Sequence, residues 1–95
     1  MKAISKVENL YEQAYQRIKT AIICNELVPG SRVVEAKIAD ALGISRTPAR
    51  EAIKKLIDEG LIIHRPGRGN FVLKVTQKDI EEIYEARQMI EKFAL

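Results

Sequence analysis

Two groups of side chains in this 95-residue chain have types and spacing suited to recognition chemistry. The first is Ser45-Arg46-Thr47-Pro48-Ala49-Arg50, with Lys54 one helical turn further on. A guanidinium offers paired N–H donors that match the two acceptors on the major-groove edge of guanine, while an ammonium or a hydroxyl suits phosphate oxygens. The second is His64, Arg65 and Arg68 around Gly67 and Gly69. Glycine lets the backbone come close to another surface, and Arg68 is placed to enter a minor groove or touch phosphate. Catalytic chemistry has no comparable group. Cys24 has no histidine beside it and reads as a buried or incidental thiol; the one histidine, His64, makes neither a triad nor a metal site. No glycine-rich phosphate loop precedes a helix in the required order, and Glu81, Glu82 and Glu85 read as a solvated helix face. An enzyme is therefore not expected, and neither a cofactor nor a metal within these residues.

Charge agrees with a polyanion partner. The net charge is +3, but residues 1–75 carry 13 of the 16 Lys and Arg and only 8 of the 13 Asp and Glu. Lys and Arg attract phosphates and release their counterions. The remaining segment, 76–95, is acidic. Composition, 46% hydrophobic and 31% charged, is that of a globular chain and argues against disorder. Apolar runs such as Leu61-Ile62-Ile63 fall far short of a membrane span, and Met1 to Asn9 lacks the apolar stretch of a secretory signal. With one cysteine and no such signals, a cytoplasmic protein without a membrane partner is expected.

The elements that must position these groups follow from periodicity. Leu10, Ala14, Ile18, Ala21 and Ile22 form one apolar stripe, which predicts a helix from Asn9 to about Asn25, ended by the Pro29-Gly30 turn. Arg32-Val33-Val34 is short and β-favouring, a small strand awaiting a partner. Glu35 to Leu42 predicts a second helix, with Ile38, Ala39 and Leu42 inward, Glu35 at the positive end of the dipole and Gly43 as a left-handed cap. Ser45 is the N-cap of a third helix, Arg46 to about Glu59, with Pro48 tolerated in its first turn and Gly60 as its stop. Leu61 to Arg65 and Asn70 to Val75 predict a hairpin turned by Pro66-Gly67-Arg68-Gly69. Thr76 caps a fourth helix, Gln77 to Leu95, with Ile80, Ile83, Tyr84, Ile90 and Phe93 at near-helical spacing.

The third helix has two sides. At about 100° per residue, Ala49, Ala52, Ile53 and Leu56 fall within an arc of about 100°, whereas Thr47, Arg50 and Lys54 fall within about 60° on the other side. Arg46 lies in the first turn, near the edge of the apolar face but able to reach forward. Lys54 and Lys55, further along, are placed for phosphates rather than bases. The expected fold is mainly α with a small β-hairpin: a winged helix-turn-helix over residues 1–75 (helix-turn-helix about 35–59, wing 61–75), followed by one C-terminal helix. That outline also serves protein-docking modules, in which Arg46, Arg50 and Arg68 would meet an acidic partner instead.

Several runs add a likeness that favours DNA, with protein docking kept as the alternative. Leu10-Tyr11-Glu12-Gln13, Leu27-Val28-Pro29-Gly30, Ala41-Leu42-Gly43-Ile44-Ser45-Arg46-Thr47-Pro48-Ala49-Arg50-Glu51-Ala52, Glu59-Gly60-Leu61 and Arg68-Gly69 resemble the GntR family of bacterial regulators. The resemblance implies sequence-specific binding of double-stranded DNA, by a homodimer on a palindromic operator and most often as a ligand-responsive repressor. It implies DNA contacts by Arg46 and Arg50 and a wing that reaches the minor groove near Gly69. Ser45, Thr47, Lys54 and Arg68 complete the expected DNA-binding set. Ala36 stands where some relatives carry a further DNA-contacting arginine, so that contact is not carried over. Asp79-Ile80-Glu81-Glu82-Ile83-Tyr84-Glu85-Ala86-Arg87 and Ile90-Glu91 resemble the first helix of the all-helical ligand-binding domain of the FadR-like (FCD) subgroup. That domain implies a small carboxylic-acid effector and a metal ion held by Asp and His. Residues 76–95 then read as a linker and the first helix of a truncated ligand-binding domain, and these residues alone as a monomer or weak dimer.

Overall fold

The computed structural model describes residues 6–93; residues 1–5, Ala94 and Leu95, the expected helix end, lie outside the described part, as do the side chains of Ile90 and Phe93. The elements run α1 (Lys6–Ile23), β1 (Arg32–Val33), α2 (Glu35–Leu42), α3 (Arg46–Asp58), β2 (Ile62–Arg65), β3 (Gly69–Val72) and α4 (Gln77–Phe93). This is the expected winged helix-turn-helix with a fourth helix after it.

α1 buries Ala14, Ile18 and Ile22 along its expected stripe, with Tyr15 beside them. It ends two residues before Asn25. Asn25 takes a left-handed backbone (φ 61°), and the Leu27 N–H donates back to the Ala21 carbonyl at 3.0 Å. A helix end closed in this way satisfies its last carbonyls before Pro29 is reached. Cys24 stands just past that end and is exposed, not buried.

α2 has the expected bounds. Gly43 closes it with φ 68° and ψ 33°, its N–H directed at the Ala39 and Asp40 carbonyls. An L side chain rarely adopts that geometry, which is why glycine stands between α2 and α3. Ser45 occupies the N-cap position of α3 in extended backbone, but its side chain makes no capping hydrogen bond. α3 ends at Asp58, with Glu59 as its C-cap and Gly60 (φ 82°) turning the chain away.

The sheet is three-stranded and antiparallel in the order β1-β3-β2. The short strand of uncertain partner thus closes one edge: Arg32 faces Phe71 and Val33 faces Asn70. On the other edge Ile62 pairs with Val72, Ile63 with Phe71, His64 with Asn70 and Arg65 with Gly69. β3 begins at Gly69 and stops at Val72, shorter than the expected run to Val75. One further bond, Leu73 N–H to the Leu61 carbonyl at 3.0 Å, ends the pairing.

α1, α2 and β2 all pack on α3. Ala49, Ala52, Leu56 and Ile62 have no solvent exposure, and Val33, Ile53 and Val72 have 5% or less. One polar tie fastens α1 to the end of α3: the Tyr15 hydroxyl lies 2.6 and 2.8 Å from the two Glu59 carboxylate oxygens. Thr76 and Asp79 form a reciprocal capping box at α4, with Thr76 N–H to Asp79 Oδ2 at 2.9 Å and Asp79 N–H to Thr76 Oγ1 at 3.1 Å. These bonds hold the Asp79 carboxyl below its ordinary pKa. Beyond this box Ile80, Ile83, Tyr84 and Met89 of α4 are exposed. Leu56→Ala, which empties a fully buried site, should lower unfolding free energy by about 2–5 kcal/mol in a urea titration followed by circular dichroism; a loss under about 1 kcal/mol would contradict this account of the core.

Candidate nucleic-acid interface

Because Ala49, Ala52, Ile53 and Leu56 are all turned into the core, the other side of α3 has to face solvent. Thr47, Arg50 and Lys54 are exposed there, on the side the spacing assigns them, and Arg46 is exposed in the first turn. Ser45 is exposed at the helix start. The positive end of the helix dipole and the uncapped N–H groups of the first turn favour negative charge beside it.

Arg50 is not a free cation. Its Nη2 lies 3.0 Å from Glu35 Oε1, and its Nε lies 3.2 Å from both Glu35 oxygens. Glu35 comes from the first turn of α2, so the helix-turn-helix itself brings the two together. The hydrogen bonds and charge of Glu35 raise the Arg50 pKa further and keep it protonated. No ion pair holds Arg46 or Lys54 among the described residues. Lys55 departs from expectation. It is half-buried, with its ammonium 4.2 Å from the centre of the Tyr15 ring and 4.0 Å from Glu12 Oε1. It turns back to α1 as a packing residue, because the ring face and carboxylate lie nearer its side of the helix than open solvent does.

The hairpin carries the second group. The Arg68 N–H donates to the Arg65 carbonyl at 2.9 Å and closes the turn, leaving the Arg65 and Arg68 side chains exposed. His64 Nδ1 lies 2.8 Å from Asn70 Oδ1 across the two strands. Gly69 has φ 119°, and a Cβ there would sit 3.0 Å from Arg32 Nε and 3.3 Å from Arg32 Nη2. The Arg32 guanidinium thus lies over Gly69. Arg32 and Glu35 are the two charged groups that sequence reasoning left out of the site. The signals were faint: Arg32 sat in a strand without a known partner, and Glu35 read as a dipole residue.

With this geometry in place, comparison with known proteins decides the family. Residues 10–72 match the model of the bacterial regulatory proteins of the gntR family. The chain belongs to the GntR family. An HTH-type transcriptional regulator of Agrobacterium vitis is 41% identical over 78 residues, covering 82% of this chain and 46% of that protein. The solved structure of a GntR transcriptional regulator from Rhodococcus sp. RHA1 has 37% identity and a TM-score of 0.68, covering 85% of this chain and 39% of that one. The DNA-binding domain of AraR, solved in complex with operator ORR3, has 30% identity and a TM-score of 0.59, covering 66% of this chain and 77% of that one. Two further relatives, 31% and 35% identical, are named as transcriptional repressors. The chain spans less than half the length of the curated GntR relatives it matches. No helix among the described residues is long and apolar enough to cross a membrane.

The glycine at the GntR wing is tested most directly by filling it. Gly69→Ala places a methyl group against Arg32 in a backbone conformation that L residues rarely adopt. We expect a loss of about 1–3 kcal/mol of unfolding free energy by urea titration. Unchanged stability would show that the hairpin relaxes freely at this point.

Proposed function

We propose that this chain is the sequence-specific DNA-reading part of a bacterial transcriptional regulator, which works as a ligand-responsive repressor in its full-length form. One observation carries the reading: Thr47, Arg50 and Lys54 stand together in solvent on the side of α3 opposite its fully buried side, with Arg46 exposed in its first turn. A helix so presented fits the major groove, with its N-terminal residues toward base edges. Arg46 and Arg50 read bases, Ser45 and Thr47 hold a phosphate at the helix start, and Lys54 contacts the backbone. Arg68 and the close approach allowed by Gly69 serve the neighbouring minor groove, with Arg32 at the root of the wing. The operator complex of AraR and the repressor names among the relatives support the same reading. The place of action is the cytoplasm, where such DNA lies.

Duplex binding should weaken steeply between about 50 and 200 mM salt, because each neutralised phosphate releases counterions. Lys54→Ala should make the salt dependence shallower by about one counterion, while Arg50→Ala should cost about 1–3 kcal/mol on a selected sequence and less on random duplex. Fluorescence anisotropy with labelled duplexes measures both. An absence of binding to any duplex at about 50 mM salt would sink the proposal in favour of a protein-docking winged helix.

Residues 76–95 are, in this reading, the linker and first helix of an FCD-type ligand-binding domain, and the operator is palindromic because two copies bind it. The support is the open apolar side of α4 and the greater length of the relatives. The effector is a small carboxylic acid bound with a metal ion. The described residues do not fit that site themselves, since no three His, Cys, Asp or Glu side chains converge on a common point and His64 faces Asn70. Sedimentation velocity of the 95-residue chain over a wide concentration range should show a monomer or a weak, concentration-dependent dimer, tightened by palindromic duplex. A stable dimer at the lowest concentration would assign dimerisation to these residues instead.

A further inference from the structure

Among the described residues, Arg50 is the outward cation of α3 held by a carboxylate, and the way it is held has a direction. A guanidinium is a flat fork of five N–H donors. Glu35 takes the edge formed by Nε and one hydrogen of Nη2. The second edge, formed by Nη1 and the other hydrogen of Nη2, has no hydrogen-bond partner among the described residues. Arg50 keeps 57% of its side chain in solvent and Glu35 keeps 31%, so neither partner is sealed into the core. An ion pair this exposed adds little to folding stability. Its geometric consequence is larger: a long side chain with many rotamers is fixed at its far end while much of it stays in solvent.

The charge of Glu35 gives the arrangement chemical selectivity. A carboxylate beside the guanidinium repels a phosphate that approaches the same place. It leaves an uncharged pair of acceptors, such as guanine O6 and N7, far less affected. A lysine or an unpaired arginine at this point would bind phosphate as readily as a base edge. The pair therefore trades general attraction for DNA against discrimination between bases.

We propose that Glu35 is a positioning residue for DNA reading: its carboxylate grips one edge of Arg50 and presents the other edge to a guanine, while discouraging contact with phosphate. This rests on the DNA-reading function proposed above.

The test uses the 95-residue chain, a pool of random-sequence duplexes and sequencing of the bound fraction, with wild type, Glu35→Gln, Arg50→Ala and the double variant. Wild type should enrich a G·C pair at one position that Arg50→Ala abolishes. Glu35→Gln should lower the preference at that same pair about tenfold, a loss on the scale of one bidentate contact, and keep the preferences elsewhere. It should bind unselected random duplex about twofold more tightly, because one negative charge has gone. In the Arg50→Ala background, Glu35→Gln should no longer alter base preference, which a separate structural effect of Glu35 would still do. Retention of the wild-type preference by Glu35→Gln would overturn the proposal while leaving DNA reading intact. So would equal losses at every position, or an effect that persists without Arg50. Wild-type binding without any sequence preference would overturn base reading by Arg50 and this proposal with it. A wild-type chain that binds no duplex would overturn the proposed function as a whole.

Discussion

The seating of α3 against α1, α2 and β2 takes Ala49, Ala52 and Leu56 entirely out of solvent. Small residues at two of these three sites let the helix backbones approach closely, and Leu56 fills the space further along. A helix fixed on one side by dense packing cannot rotate about its axis without emptying that space. The rotation of α3 therefore determines what faces outward, and Arg46, Thr47, Arg50 and Lys54 do. The polar ties arise from the same seating. Tyr15 reaches Glu59 because α1 lies along α3, and Glu35 reaches Arg50 because Gly43 folds α2 back across it. Lys55 covers the Tyr15 ring for the same reason.

The wing depends on a different constraint, the satisfaction of backbone hydrogen bonds at the sheet edges. β3 lies in the middle and takes bonds from both sides, so the short β1 is needed to pair its second edge. Val72 and Ile62 pair across the inward face, which fixes the register, because a one-residue slip of either strand would turn its own member of the pair out of the core. That register brings Arg65 opposite Gly69, and the third strand lays the Arg32 guanidinium over the same glycine. The basic character of the wing is thus assembled from three strands and not from the hairpin alone.

α4 obeys neither constraint. Its start is well determined by the Thr76–Asp79 box, a local device that needs no partner element. Its side chains Ile80, Ile83, Tyr84 and Met89 find no cover, in contrast to the inward sides of α1 and α3. The family match runs through residue 72, so α4 lies beyond it. The family match and the buried core both end at Val72.

The sequence alone determined the features whose signals are carried by near neighbours in the chain. The bounds of α2, the left-handed turn at Gly43, the two sides of α3, the hairpin and the Thr76 cap are all of this kind, since periodicity and permitted backbone angles act within a few residues. The likeness of the Ser45–Arg50 run to GntR regulators was legible for the same reason. Where a local signal had a competitor, it failed: the end of α1 is closed by Asn25 before Pro29 acts, and Ser45 leaves its capping bond unmade. Only the tertiary structure decided the partner of β1, the burial of Tyr15, the turn of Lys55 toward α1, the placing of Arg32 over Gly69 and the capture of Arg50 by Glu35 fifteen residues away. Each of these depends on the distance between two elements, which packing sets and no run of adjacent residues encodes.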